Sequence, residues 1–425
     1  MRKSAAYLEN IPIGFVSTRF VGTDGVSLET EKWASVLESL GHRCFYFCGE
    51  SDRPPDVTRK VPEAHFKHPD IQAINEAAFE KRRRPPSITR RILEIKDYLK
   101  DHLAAFVNEF DLRLLIVENA LAIPMNLPLG LAITEYVAET GFPVIAHHHD
   151  FFWERKRFLV NCVWDYLNMA FPPHLPSIHH VVINSSGGNQ LSLRTGISSL
   201  LIPNVMDFEH GPAPANGYAS EVRRSLGLQE NERMVLQPTR VVQRKGIEHA
   251  IELLSRLDLP VVLVISHASG DEGYSYERYL KEYARRLGVR TLFISDIIKE
   301  RRGQTPDGRN IYTLRDVYPY ADLVTYPSEL EGFGNAFLEA VFYRKPIVVN
   351  NYSIFAIDIA PKGFEVITFD GFITDQTVQR ARRVLTDPDL ARRMTEKNYQ
   401  LGRRYYSYSL LKRRLETLIT DCFGE

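Results

Sequence analysis

Twelve short apolar runs, most of them rich in Val, Ile and Leu, fall into two series along this chain and decide its architecture. The first series is "IGFVST", "RCFYFC", "RLLIVE", "PVIAHHH", "HVVINS" and "SLLIP", with helical periodicity between them, as in residues 29–40 and 88–110. Strands that alternate with helices form βαβ units around a parallel sheet. A stretch rich in Pro, Gly and Asn follows, "IPNVMDFEHGPAPANGYAS", and then a fresh series begins: "RMVLQPT", "PVVLVIS", "RTLFIS", "DLVTYPS", "KPIVVN" and "FEVITF". The expected fold class is therefore α/β, with two doubly wound parallel-sheet domains and a boundary near Pro203 to Asn216. We place them at residues 1–205 and 206–404, and the helical pattern of the last segment, about 405–425, is free to pack back on either. Ligands of open parallel sheets bind beyond the carboxyl ends of the strands, so two facing sheets imply a cleft, and the post-strand loops carry the chemistry.

The length agrees, since 425 residues exceed what one hydrophobic core serves. Lys and Arg number 53 and so do Asp and Glu, which removes a whole-molecule electrostatic case for nucleic acid or an anionic membrane. The basic run "KRRRPPSITRR" reads as a solvated loop leading into a helix. Cys44, Cys48, Cys162 and Cys422 make no disulfide framework, and C-x3-C without a second ligand pair is poor zinc spacing. A reducing cytoplasm is the expected compartment. Glu9 and Asn10 interrupt the N-terminal stretch before a secretory h-region develops, and Glu118 with two prolines breaks the most apolar long window, so no transmembrane segment is expected.

Four post-strand loops stand out. In "STRFVGTDGVSLETEKW", Gly22, Thr23, Asp24 and Gly25 precede an amphipathic helix whose amides could meet a phosphate or a sugar hydroxyl; a plain capped turn explains the stretch equally well. In "VIAHHHDFFWERKRF", neighbours on an extended chain point to opposite faces, so only His147 and His149 share a side. No third ligand stands at metal-binding spacing, and we expect no metal here; His149 before Asp150 is the candidate cleft-facing group. In "LQPTRVVQRKGIEHAIELL", Arg240 and Lys245 lie at a helix start and could grip a diphosphate, although solvated surface charge explains them equally well. In "YPSELEGFGNAFLEA", Glu331 and Glu339 stand eight positions apart, the first in a loop and the second in a helix beginning near Asn335. A carboxylate so placed suits accepting hydrogen bonds from vicinal hydroxyls, as on ribose, although stabilising the helix dipole would also account for Glu339.

Together, "HDF" after a strand, "IPNVMDF" at the junction, "TR" with "KG" close behind, and "PSELEGFGNAFLEA" followed by "KPIVV" resemble the retaining glycosyltransferases of the GT-B fold, family GT4 (glycosyl transferases group 1). The resemblance covers essentially the whole chain, and E-x7-E in the setting "EGFGxxxLEA" carries most of it. It implies two facing Rossmann-like domains, the first binding acceptor and the second a nucleotide-diphosphate sugar such as GDP-mannose or UDP-glucose, with the last helix returning to the first. Arg240 and Lys245 would hold the diphosphate and stabilise the leaving nucleotide. Glu331 would hold the transferred sugar, Glu339 the ribose, and Gly332, Phe333, Gly334 and Asn335 would line sugar and phosphate. His149, or His147 in the alternative alignment, would face sugar and acceptor, Gly22 to Gly25 the phosphate or acceptor, and Asn204 and Asp207 match the junction motif loosely. The resemblance also implies retention of the donor's α configuration without a metal, so the two glutamates are not the pair that brackets a glycosidic bond in hydrolases.

Thr239 stands where the family commonly has Gly, and "HASGDEGYSYERY" replaces a shorter Gly-rich turn; both changes fall near the donor. "HxHDFxWER" is similar to the branch that makes sugar-containing compatible solutes and disaccharides, mannosylglucosylglycerate synthases among them. The expected activity is hexosyl transfer, mannose or glucose, to a small soluble sugar or glycerate-type acceptor, with no nucleic-acid partner and no tightly bound cofactor; homo-oligomerisation stays open. Alternatives are a non-catalytic nucleotide-sugar binder, or a transferase acting on a lipid-linked or polysaccharide acceptor. A nicotinamide-dependent oxidoreductase would need G-x-G-x-x-G after the first strand, where "STRFVGTDG" stands instead.

Overall fold

The computed structural model of the chain describes residues 10–22, 25–214, 216–269 and 273–423. It divides into two compact units: the residues up to Asn204 together with those from Tyr408 onward, and Val205–Ser407.

The first unit is built on a seven-stranded parallel sheet. Its strands are β1 (Pro12–Val16), β2 (Arg43–Cys48), β3 (Thr58–Lys60), β4 (Leu114–Glu118), β5 (Val144–His148), β6 (Ile178–Val182) and β7 (Leu200–Leu201), in the spatial order β3-β2-β1-β4-β5-β6-β7. The second carries six parallel strands, β8 (Arg233–Gln237), β9 (Val261–Ile265), β10 (Thr291–Phe293), β11 (Leu323–Tyr326), β12 (Ile347–Asn350) and β13 (Ile367–Phe369), in the order β10-β9-β8-β11-β12-β13. All twelve apolar runs of the sequence become strands, with β3 added at one edge. In both sheets the first strand lies inside, beside the fourth, which is the doubly wound arrangement whose switch point falls between those two strands.

Helices cover the strands. α1 (Gly25–Ser39) follows β1, and α2 (Pro86–Glu109) buries Ile92, Ile95, Leu99, Leu103 and Phe106, the three-and-four spacing of an apolar stripe. Phe106 reaches Phe47 of β2 with ring centroids 5.7 Å apart. α3 (Leu127–Thr140) starts where the Asn126 side chain accepts from the Leu129 amide at 3.0 Å. The basic run is a surface loop that leads into α2: Arg84 pairs with Asp165, Arg91, already within α2, pairs with Asp70, and Lys81, Arg82 and Arg83 are exposed.

In the second unit α4 (Ile247–Ser255) follows β8, α5 (Ser275–Leu287) follows β9, and α6 (Asn335–Phe342) follows β11. The terminal segment is two helices, α7 (Pro388–Tyr405) and α8 (Tyr408–Cys422). Between them Tyr406 is buried against the rings of Phe333, at 5.3 Å, and Phe364, at 6.0 Å, and its carbonyl accepts from Met206 N at 2.9 Å. Burying that ring takes the backbone out of helical geometry (φ −139°). α8 then packs on α1 and β6, and Phe423 beyond it lies under the Arg113 guanidinium at 5.2 Å.

Candidate active site

In the second unit the loops after β8 and β11 meet at the switch point. Gln237, the last residue of β8, is wholly buried; its amide donates to Thr239 Oγ1 at 2.7 Å and its Oε1 accepts from Thr325 of β11 at 2.7 Å. Thr239 thus completes a polar network that fixes the backbone beneath Arg240, which is the reason for a hydroxyl residue at that position. Arg240 itself is exposed, and its guanidinium makes no ion pair among the described residues. A short turn, Gln243–Lys245, leads to Gly246 at φ +57°. A Cβ there would stand 2.6 Å from the carbonyl oxygen of Pro327, so only glycine lets the two loops close to this distance.

The closure brings Lys245 Nζ onto Glu331 Oε1, with both side chains 11% exposed. Arg244 stands 3.9 Å from the same carboxylate. Burial lowers the Lys245 pKa, against the pull of Glu331, and burial first, then Glu331, holds the Tyr326 phenol well above its ordinary value. The sequence reading placed Arg240 and Lys245 at a helix start as two cations able to grip a diphosphate; in the structure Lys245 is also ion-paired with Glu331, and the first amide of α4, Ile247 N, donates to the Tyr276 hydroxyl at 2.9 Å.

Glu331 and Glu339 lie on a loop and a helix, as their spacing suggested. Gly334, at φ +121°, has no room for a Cβ, which would fall 2.3 Å from the Tyr352 hydroxyl; that hydroxyl donates to Phe333 O at 2.8 Å. This packing presents Gly332 on the surface and starts α6 at Asn335. Glu339 Oε2 accepts from the buried Tyr318 hydroxyl at 2.7 Å, and Tyr318 stacks on Tyr343 with centroids 4.7 Å apart.

Two residues here escaped the sequence reading. Tyr318 precedes β11 with no motif around it. His267 follows β9, within the stretch already marked as a departure; Ser266 N bonds to Gln237 O at 3.3 Å and Val241 N to Ala268 O at 3.2 Å, so His267 flanks the Arg240 loop. Its Nδ1 lies 2.8 Å from Ser266 Oγ, and burial, with Arg240 and Lys245 adding to it, brings its pKa down to about 4. It is a neutral imidazole beside two cations.

In the first unit, pairing of β4 with β5 sets Glu118 opposite His147. Glu118 is wholly buried and lies 3.0 Å from His147 Nδ1 and 3.1 Å from His149 Nε2. His147 and His149 thus share one side, as alternation requires, while His148 turns away to His180 at 2.9 Å. The expectation that no third group is at hand fails: Glu118 closes a trio whose donor atoms all lie within 4.8 Å of one another, a set able to hold a metal ion or to exchange hydrogen bonds. The miss is physical, because a group 29 positions upstream is brought in by sheet register and not by local spacing. Burial opposes a charged Glu118, yet the two histidines bring its pKa down to about 2; burial lowers His147, whereas Glu118 outweighs burial at His149 and raises it. Asp150 is held by Asn119 Nδ2 at 2.9 Å and by Arg155 Nε at 2.7 Å.

Gly22 has φ +81° and Gly25 opens α1, while Thr23 and Asp24 lie outside the described residues. Of the junction residues, Asn204 is buried at the end of the first unit, and Asp207 bonds its neighbour His210 on the surface of the second at 2.7 Å.

Residues 219–401 match the family described as Glycosyl transferases group 1. The chain is 34% identical to the mannosylglucosylglycerate synthase of Thermotoga maritima, over 92% of this chain and 95% of the relative. It is 29% identical to the mannosylglucosylglycerate synthase of Petrotoga mobilis, over 94% and 99% of the two chains. Among solved structures it is similar to a glycosyltransferase from Rickettsia africae, with a TM-score of 0.70 at 15% identity over 98% and 99% of the chains.

Proposed function

Given that this chain belongs to the glycosyl transferases group 1 family, a GT-B glycosyltransferase, we propose that it moves a mannosyl or glucosyl unit from a nucleotide-diphosphate sugar to a small glycerate-type acceptor, with retention of the α configuration. The observation that carries this reading is the convergence of Arg240, Lys245 and Glu331 at the switch point of the second sheet, with Glu339 one helix turn beyond the glycine-rich loop. The names of the two relatives support the choice of acceptor.

Arg240 and Lys245 are assigned to the diphosphate, Glu331 to the hydroxyls of the transferred sugar, Glu339 to the ribose, and the amides of Gly332 to Asn335 to sugar and phosphate. His149 is assigned to the sugar and acceptor, and Gly22 to the phosphate or acceptor side. In the step, an acceptor hydroxyl oxygen bonds to the anomeric carbon as the bond from that carbon to the diphosphate oxygen breaks. The acceptor proton passes to the departing phosphate oxygen, leaving an α-glycoside and a nucleoside diphosphate. Two cations meet the negative charge that grows on the diphosphate, so the chemistry asks for no metal at that position; fixed charges of this kind supply several kcal/mol in dry sites, roughly 3 kcal/mol for a single donor.

Thermal-shift screening of UDP, GDP and ADP with their glucose and mannose conjugates tests the reading, since a ligand at 100 times its Kd stabilises by about 2.7 kcal/mol. One nucleotide series should raise the melting temperature, and its sugar conjugate should then be consumed with glucosylglycerate or glycerate as acceptor. A shift with NAD and with none of these would sink the proposal.

A further inference from the structure

A carboxylate only accepts hydrogen bonds, so both contacts of Glu118 need an N–H, on Nδ1 of His147 and on Nε2 of His149. The other nitrogen of His147, Nε2, is buried without a partner among the described residues, and its ring is stacked on Trp33 at 4.1 Å. His147 therefore has no free edge with which to meet a ligand. His149 keeps one ring nitrogen, Nδ1, uncommitted among the described residues, on a side chain 9% exposed. Its backbone is fixed from the same place: His149 N donates to Asn119 Oδ1 at 3.0 Å, and Asn119 N donates to His147 O at 2.9 Å. The dipeptide Glu118-Asn119, at the end of β4, thus holds the whole end of β5, main chain and rings together.

We propose that Glu118 is a positioning residue: by accepting from His147 and His149 at once it locks both rings and determines that Nδ1 of His149 is the nitrogen offered to a hydroxyl of the sugar or acceptor. The assignment rests on the transferase reading, which gives His149 to the substrate. Nothing in the local motif "HHHD" specifies a ring orientation; the neighbouring strand does. Outer carboxylates that orient metal-bound histidines contribute about 10- to 100-fold, and an effect of the same order is expected where the oriented histidine meets a substrate hydroxyl.

Both rings meet the same oxygen, Oε2, and His147 Nδ1 also lies 3.2 Å from Oε1, so Glu118→Gln keeps the shape but removes the charge and sets an NH2 donor against the N–H of His147, while Glu118→Asp keeps the charge on a shorter stem. In Glu118→Gln, kcat with saturating donor and acceptor should fall about 10- to 100-fold with donor KM little changed, and Glu118→Asp should recover part of it. At a pH above the raised pKa of His149, side-chain 15N spectra of histidine-labelled protein should show His149 as a fixed Nε2–H form in the native chain and as exchanging tautomers in Glu118→Gln. A purely structural role would leave that signature unmoved wherever the fold survives; should Glu118→Gln fail to fold, the same spectrum of Glu118→Asp decides. Native kcat and an unchanged His149 signal in Glu118→Gln would overturn the proposal. So would a stoichiometric metal ion in the purified protein whose removal by chelator moves the His149 signal, because Glu118 would then be a ligand. A native chain that transfers no sugar sinks the transferase reading instead, since the spectra need no substrate.

Discussion

Lys245 and Glu331 form an ion pair between residues 86 positions apart in sequence, each nine-tenths buried, where the loops after the first and fourth strands of one sheet meet. The pair does two things. It ties the loops together, and on the proposed reading it sets an ammonium for the donor's phosphate beside a carboxylate for its hydroxyls. Burial keeps the Lys245 pKa below that of a free lysine, so an arriving diphosphate would strengthen its hold on the proton.

Lys245→Ala should lower kcat/KM by about 100- to 1,000-fold, the size seen when one preorganised donor to developing charge is removed. It should also cost stability, about 3 kcal/mol, because a buried carboxylate is left with Arg244 at 3.9 Å as its remaining cation. The double change Lys245→Met with Glu331→Gln should recover much of the stability and none of the activity. Denaturant titrations and initial rates measure both; activity in the double variant would remove the pair from the mechanism.

Gly246→Ala tests the closure of the loops. The left-handed backbone alone costs about 1–2 kcal/mol with a Cβ. Gly196 is the control: it too has positive φ, +74°, and a Cβ there meets nothing within 4 Å, whereas at Gly246 it meets Pro327 O at 2.6 Å. Gly196→Ala should pay the backbone cost only, and Gly246→Ala should be the more destabilised and should lose nucleotide affinity. Equal melting temperatures would show that the Pro327 contact relaxes without consequence.

Tyr318→Phe removes the hydroxyl that donates to Glu339. It should cost about 1 kcal/mol of stability. If Glu339 holds the ribose, the variant should bind the nucleoside diphosphate more weakly, and a deoxyribose nucleotide should discriminate poorly between native chain and variant. Isothermal titration with the two nucleotides reads this directly; a Tyr318→Phe chain that binds both as the native protein does would separate Glu339 from the ribose.

The sequence made the two sheets legible because each buried strand is a continuous apolar run, and parallel strands leave no other reading. It also pointed to Arg240, Lys245, Glu331 and Glu339 as candidates, because these lie in the loop or helix that follows a strand, in motifs that carry glycine for close approach. What it hid is cross-strand. Glu118 was visible only as a charge that interrupts an apolar window, and its value comes from standing opposite His147 in the sheet register. Tyr318 and His267 are hidden for the same reason: one is read through Glu339, 21 positions later, and the other through a loop on a neighbouring strand. A charged residue closing an otherwise apolar strand, beside a strand that ends in histidines, is the signal that would have exposed Glu118. The break at Tyr406 carries no Pro or Gly and follows from the burial of one ring, which helical periodicity does not register.

The buried pair His148 and His180 predicts how the protein responds to acid. His148 Nε2 lies 2.9 Å from His180 Nδ1, and a bond between two imidazoles needs one to be neutral. Burial holds His180 at about 4 and His148 well below the ordinary value near 6.5, so both are neutral in the folded chain at pH 7. The unfolded chain takes up these protons as pH falls below about 6.5, whereas the folded chain resists until about 4. The folded state therefore holds its full advantage above that ordinary value and loses it as pH falls between the two, by about 3 kcal/mol for His180 at 1.36 kcal/mol per pH step. Melting temperature followed from pH 7 downward should drop across that window, and His180→Gln, which keeps a hydrogen bond to His148 but cannot protonate, should drop less steeply. An identical slope in the two proteins would show that the pair is not what makes the fold acid-sensitive.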